Sequence, residues 1–147
     1  MIDYCDSLDG ICMEQLESFF VGWRYPLSPA EHIKVLAGSS HFLLAMDRES
    51  GRVVGFITAL SDGLLSAYIP LLEVLPPYRG LGIGRELVRR MLVKLEGLGM
   101  VDLLCDPPLL PFYQCLGFQP ATAASIRRPR RQIGDDSPNG SIWKGPV

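Results

Sequence analysis

No stretch of this sequence reaches the roughly 20 consecutive apolar residues that a helix needs to cross a bilayer. Its start, MIDYCDSLD, is acidic and lacks the basic region and apolar core of a secretory signal. Cysteine is sparse. Cys5, Cys12, Cys105 and Cys115 fall at scattered spacings, without the C-x-x-C pairs of a zinc site or the density of a disulfide scaffold. Reduced thiols and a cytoplasmic location are therefore expected. Charge is nearly balanced, and a net charge of -2 gives no global attraction to nucleic acid or anionic membranes. Partners must be read from local features.

What the chain does have is length and apolar content suited to one domain. It has 147 residues, 48% of them hydrophobic, and a domain of this size buries about 70% of the surface its unfolded chain exposes. Met13–Val21 carries Leu16, Phe19 and Phe20 at helical spacing, with Gly22 placed to end a first helix. Ser28, Pro29 and Glu31 form an N-cap, a first-position proline and an early acid, so a second helix is expected to about Ala37.

His41–Met46 and Arg52–Leu60 are apolar runs joined by DRESG, a hairpin signal. A third run spans Leu64–Leu75, which predicts a meander of three antiparallel strands. Ile83, Leu87, Val88, Met91, Leu92, Leu95 and Leu98 mark one face of a helix of about four turns. Val101–Cys105 reads as a short strand. Asp106 and Pro107 open a short helix through Tyr113, and Phe118–Arg127 is expected as a last strand. From residue 128 the composition turns polar and basic, so 1–127 is read as the domain and 128–147 as a flexible tail. Helices and strands alternate, giving a mixed α/β domain around one central sheet.

The densest signal lies between the third run and the long helix, in LPPYRGLGIGR, Leu75–Arg85. A helix N-terminus offers unpaired N–H groups and about half a positive charge, which favours phosphate or pyrophosphate. Gly80, Gly82 and Gly84 let the main chain approach such a ligand, and Arg79 and Arg85 add charge. A Walker loop would need Lys-Ser/Thr after Gly84, where Arg85-Glu86 stands. A Rossmann fingerprint would need its third glycine at 85 and an early parallel strand. Neither fits.

Arg79-Gly80-Leu81-Gly82-Ile83-Gly84 resembles instead the Gln/Arg-x-x-Gly-x-Gly/Ala loop of the GNAT superfamily of acetyl-CoA-dependent N-acetyltransferases. Downstream, PFYQCLGF, Pro111–Phe118, resembles that family's Phe-Tyr-x-x-x-Gly-Phe segment. The resemblance covers about residues 13–127. It implies the GNAT acyl-CoA N-acyltransferase fold, a mixed and mostly antiparallel sheet flanked by helices. It also implies acetyl-CoA as co-substrate without a metal, and acetyl transfer by direct amine attack. By match, Leu72, Val74 and Leu75 should pair with the pantetheine arm. Arg79, Gly80, Leu81, Gly82, Ile83, Gly84 and Arg85 should hold the pyrophosphate.

A backbone N–H near Val74 could stabilise the oxyanion formed on attack. A lysine-like amine is mostly protonated at neutral pH, so something should take a proton. Glu73, a lone carboxylate in an apolar strand, is the candidate base, set against a solvated residue on the strand's outer face. Tyr113 matches the family's tyrosine that protonates the leaving thiolate, set against a packed aromatic. Cys105, tied by no motif to His32 or His41, reads as a core thiol. Asp102 and Asp106 could meet a substrate ammonium, with Asp106 more simply a helix cap. Trp23 and Tyr25 stand where such folds build an acceptor pocket, or simply in the core. Arg127–Arg131 reads as a solvated basic tail and not a nucleic-acid site.

The expected acceptor is a small-molecule or protein amine, with no nucleic-acid or membrane partner, and a homodimer is in keeping with the family. The alternative is a non-catalytic GNAT-fold module that senses or binds CoA.

Overall fold

The computed structural model describes residues 1–128. Six strands form one sheet: β1 (Ile2–Cys5), β2 (His41–Asp47), β3 (Val53–Ser61), β4 (Ser66–Tyr68), β5 (Leu72–Val74) and β6 (Met100–Asp102). The helices are α1 (Pro29–Gly38), α2 (Ile83–Lys94) and α3 (Leu110–Gln114). The strand order is β1-β2-β3-β4-β6, and β5 also pairs with β3. All pairings are antiparallel except β4 with β6, which is parallel. The fold is thus the mixed, mostly antiparallel α/β architecture that the resemblance implied.

Alternation along the strands divides the core into two apolar clusters. One holds Leu43, Ile57, Leu72 and Val74 with Leu87, Val88 and Met91 of α2 and Tyr113 of α3. The other holds Leu44, Phe56, Phe19 and Phe20 with Leu36 of α1. A register shift between Ala45 and Met46 leaves Val54 as an extra residue on β3, which re-aims the strand where β5 joins it.

Several expectations are corrected here. The third run is not one strand. Pro70 has no N–H to give a ladder, and the run divides into β4 and β5 on either side of it. Met13–Val21 is not an α-helix but a 3-10 turn over Met13–Leu16, followed by a loop in which Ser18 and Phe20 adopt left-handed φ of 73° and 63°. The long helix stops at Lys94, short of Leu98, and Gly97 turns the chain at φ 90°.

Asp106 makes no side-chain cap. Its carbonyl accepts from Leu109 N–H at 2.9 Å, and a 3-10 turn over Pro107–Leu109 leads into α3. No strand forms over 118–127. Pro120 removes a donor there, and Ala121, Ala123 and Ala124 have low β-propensity. The expected tail lies outside the described residues apart from Arg128.

Other expectations match the coordinates. α1 begins with a full capping box, in which Glu31 N–H donates to Ser28 Oγ at 3.1 Å and Ser28 N–H donates to Glu31 Oε1 at 3.0 Å. The β2–β3 hairpin turns at Asp47–Gly51, and the Tyr78 hydroxyl donates to Asp47 Oδ2 at 3.1 Å. That bond ties the hairpin to the segment entering α2.

Candidate donor and acceptor site

The split of the third run opens the sheet. β4 and β6 pair as far as Tyr68 and Asp102, where Ile69 N–H donates to the Asp102 carbonyl at 2.9 Å. Beyond that point β5 pairs with β3, while β6 has ended at Asp102 and β5 has no strand pairing on its other edge among the described residues. Thr58 N–H donates to the Leu71 carbonyl and Leu75 N–H to the Val54 carbonyl, which aligns Phe56 with Glu73 as a hydrogen-bonded pair. Antiparallel alternation then turns the backbone groups of Leu72 and Val74 away from β3, toward the opening. Leu75, expected at this edge, spends its N–H on β3.

Gly55 makes this geometry possible. A Cβ there would stand 3.2 Å from the Glu73 carbonyl oxygen and from Leu87 Cδ1, and 3.3 Å from Val74 Cγ2. β3, β5 and α2 close together at that point, a role the sequence reading missed. A glycine inside an otherwise apolar strand is the signal that could have found it.

The turn into α2 follows directly. Gly80 and Gly82 take left-handed φ of 75° and 85°, and Gly82 is the N-cap of α2. Leu81 is exposed, while Ile83 and Gly84 are buried in the first turn. Arg79 N–H donates to the Pro76 carbonyl and Glu86 N–H to that of Gly82. Between them, the amides from Gly80 to Arg85 donate to no other group among the described residues. Such a run of free N–H groups at a helix start suits a pyrophosphate. Arg85 is exposed beside it.

Arg79 does something the sequence did not reveal. Its Nε donates to the Val74 carbonyl at 2.9 Å, and one terminal nitrogen is buried without a partner. The guanidinium therefore braces the free edge of β5 against the turn. Glu86 lies with Arg89 and Arg90, and the Arg89 hydrogen bond leads the effects that hold its carboxyl down at about 2. That trio is a helix-surface network.

Glu73 is 4% exposed and points into the α1-side cluster. Its Oε2 accepts from Phe20 N–H at 2.9 Å and its Oε1 from Val21 N–H at 3.1 Å. Burial pushes its pKa up, opposed by those two amides and by the Arg79 charge. The solvated-residue reading is thereby excluded. Phe20 packs edge-on against Trp23 at 5.0 Å, so Glu73 also anchors the approach to the connector. Arg24 lies 5.3 Å from the centre of the Tyr25 ring.

Tyr113 is 5% exposed and belongs to the α2-side cluster, across the sheet from Glu73. Burial first, and Cys105 second, push its phenol well above the ordinary tyrosine range. The two candidate proton-transfer groups thus lie on opposite faces of the sheet. Among the described residues no cluster of His, Cys, Asp and Glu could hold a metal ion.

The model of the acetyltransferase (GNAT) family matches residues 8–118. A candidate acetyltransferase from Deinococcus radiodurans R1 superposes with a TM-score of 0.84 at 46% identity, over 86% of this chain and 88% of that one. Serotonin N-acetyltransferase 2, chloroplastic, from Oryza sativa is 29% identical over 140 residues, covering 89% of this chain and 70% of the rice protein. GCN5-related N-acetyltransferase 1, chloroplastic, from Arabidopsis thaliana is 29% identical over 76% of this chain, which spans 58% of that relative's length.

Proposed function

This chain belongs to the acetyltransferase (GNAT) family, and from that membership we propose that it moves an acetyl group from acetyl-CoA to a primary amine. One observation carries the reading. The outward-facing edge of β5 at Leu72 and Val74 is followed, after the turn over Pro76–Tyr78, by the free amides of Gly80–Arg85, which offers one set of backbone groups to a pantetheine arm and another to its pyrophosphate. The Val74 N–H faces the opening, where it would donate to the oxyanion on the thioester carbon.

In this reading the neutral amine attacks the thioester carbonyl, the new C–N bond forms and the C–S bond breaks. The amine's surplus proton leaves toward Glu73, directly or through water, and the departing sulfur ends as a thiol. Burial raises the affinity of Glu73 for that proton. Tyr113, protonated throughout the working range, donates to the sulfur as charge develops there. The acceptor enters on the Phe20–Tyr25 side. The name of the rice relative makes an arylalkylamine the first acceptor to try.

A second reading, a CoA-binding module without catalysis, draws on one specific observation. Both Glu73 oxygens already accept backbone amides. Thiol release from acetyl-CoA with a panel of aryl, polyamine and lysine amines separates the two. Amine-dependent release supports the transferase, and tight acetyl-CoA binding with no release on any amine supports the module.

A further inference from the structure

Charge at the start of the glycine turn suggests that Arg79 grips a phosphate, yet its side chain is already engaged elsewhere. Nε donates to the Val74 carbonyl at 2.9 Å, and one terminal nitrogen is closed off from solvent without a partner among the described residues. Two prolines deliver it there. Pro76 and Pro77 fix φ near about −65° through the 3-10 turn over Pro76–Tyr78, and Arg79 N–H donates to the Pro76 carbonyl at 3.3 Å. The side chain thus folds back five residues onto β5, while Gly80, at φ 75°, sends the main chain on toward α2.

That bond completes a peptide held at both ends. Leu75 N–H donates to the Val54 carbonyl at 2.8 Å, so the Val74–Leu75 peptide is fixed to β3 on one side and to Arg79 on the other. Its carbonyl lies on the edge of β5 that pairs with no strand among the described residues. A carbonyl oxygen has two lone pairs, and Arg79 uses one of them. The other stays available to an amide N–H laid along that edge.

We propose that Arg79 is a positioning residue of the donor site, which holds the Val74 carbonyl in place as an acceptor for the pantetheine arm through its N–H and does not bind the pyrophosphate through its charge. The inference rests on the donor reading above. The pyrophosphate is left to the amides of Gly80–Arg85 and to the exposed Arg85 side chain. Side-chain chemistry separates the two roles. Gln carries an N–H donor the same number of bonds from Cα as Arg Nε, without the charge, whereas Lys keeps the charge and has a methylene at that point.

Acetyl-CoA binding to the full chain is measured by calorimetry at low and high salt for the wild type, Arg79→Gln and Arg79→Lys. The expected result is that Arg79→Gln binds roughly tenfold tighter than Arg79→Lys, the scale of one retained hydrogen bond, and keeps the wild-type salt dependence. A purely structural role would lower the denaturation midpoint of both variants without setting this order of affinities. A measurement on the wild type needs no variant to fold. Its Arg79 Nε–H signal in NMR should stay protected from exchange when acetyl-CoA binds. Arg79→Lys binding as tightly as Arg79→Gln, a flattened salt dependence in Arg79→Gln, or an Nε–H that loses protection on binding overturns this inference alone. No binding of acetyl-CoA by the wild type overturns the donor reading with it.

Discussion

Glu73 Oε2 accepts the amide of Phe20 at 2.9 Å, across 53 positions of sequence, and so ties β5 to the loop that leads into the connector. Its other oxygen takes the Val21 amide. Phe20 adopts a left-handed φ of 63° within this loop, and the bonds to Glu73 help offset that strain.

Glu73→Gln replaces one acceptor oxygen with an N–H donor facing a backbone amide. A buried unsatisfied group costs about 1–3 kcal/mol, so chemical denaturation should show a loss of that size. If Glu73 also takes the amine's proton, the variant loses the ascending limb of the pH-rate profile as well. A stability loss with an unchanged profile would restrict Glu73 to its structural role.

His32 makes a second prediction. It is fully buried among Phe19, Phe20 and Phe56, and neither ring nitrogen has a partner. Burial lowers its pKa to about 4 from the ordinary 6.5. The unfolded chain therefore takes up a proton at higher pH than the folded one, and stability falls as pH drops from 6.5 through about 4. The full loss is about 3 kcal/mol at 1.36 kcal/mol per unit. Denaturation midpoints across that range should decline for the wild type and decline less for His32→Leu.

Gly55→Ala places a methyl against the Glu73 carbonyl, Leu87 and Val74. Overpacking of this kind costs about 1–3 kcal/mol. Because the displaced element is β5, KM for acetyl-CoA should rise more than kcat falls. Unchanged acetyl-CoA affinity would break the link between Gly55 and the donor edge.

Gly82→Ala tests the turn by conformation and not by space, since nothing lies within 4 Å of a Cβ at that position. An L-residue at φ 85° costs about 1–2 kcal/mol. Calorimetry should show acetyl-CoA binding weakened by roughly tenfold, which is about 1.4 kcal/mol.

Much of this was legible because it is local. The capping box of α1, the hairpin at Asp47–Gly51 and the glycine turn into α2 are each written in a few adjacent residues. Failures came where distant partners decide. Met13–Val21 has helical spacing, yet its loop bends to reach Glu73. Leu64–Leu75 reads as one run, yet Pro70 splits it and thereby creates the opening that the donor reading requires. Arg79 carries charge at the right place for a phosphate, but only the fold reveals that its Nε goes to Val74.

The central claim is that acetyl-CoA lies along the free edge of β5 with its pyrophosphate at the turn into α2. An amide-resolved NMR titration of the full chain with acetyl-CoA addresses it most directly. The account predicts the largest shifts at Leu72, Val74 and Gly80–Arg85, with smaller ones near Tyr113. Shifts confined to the 119–127 side of β6, or no saturable shifts at all, would contradict it.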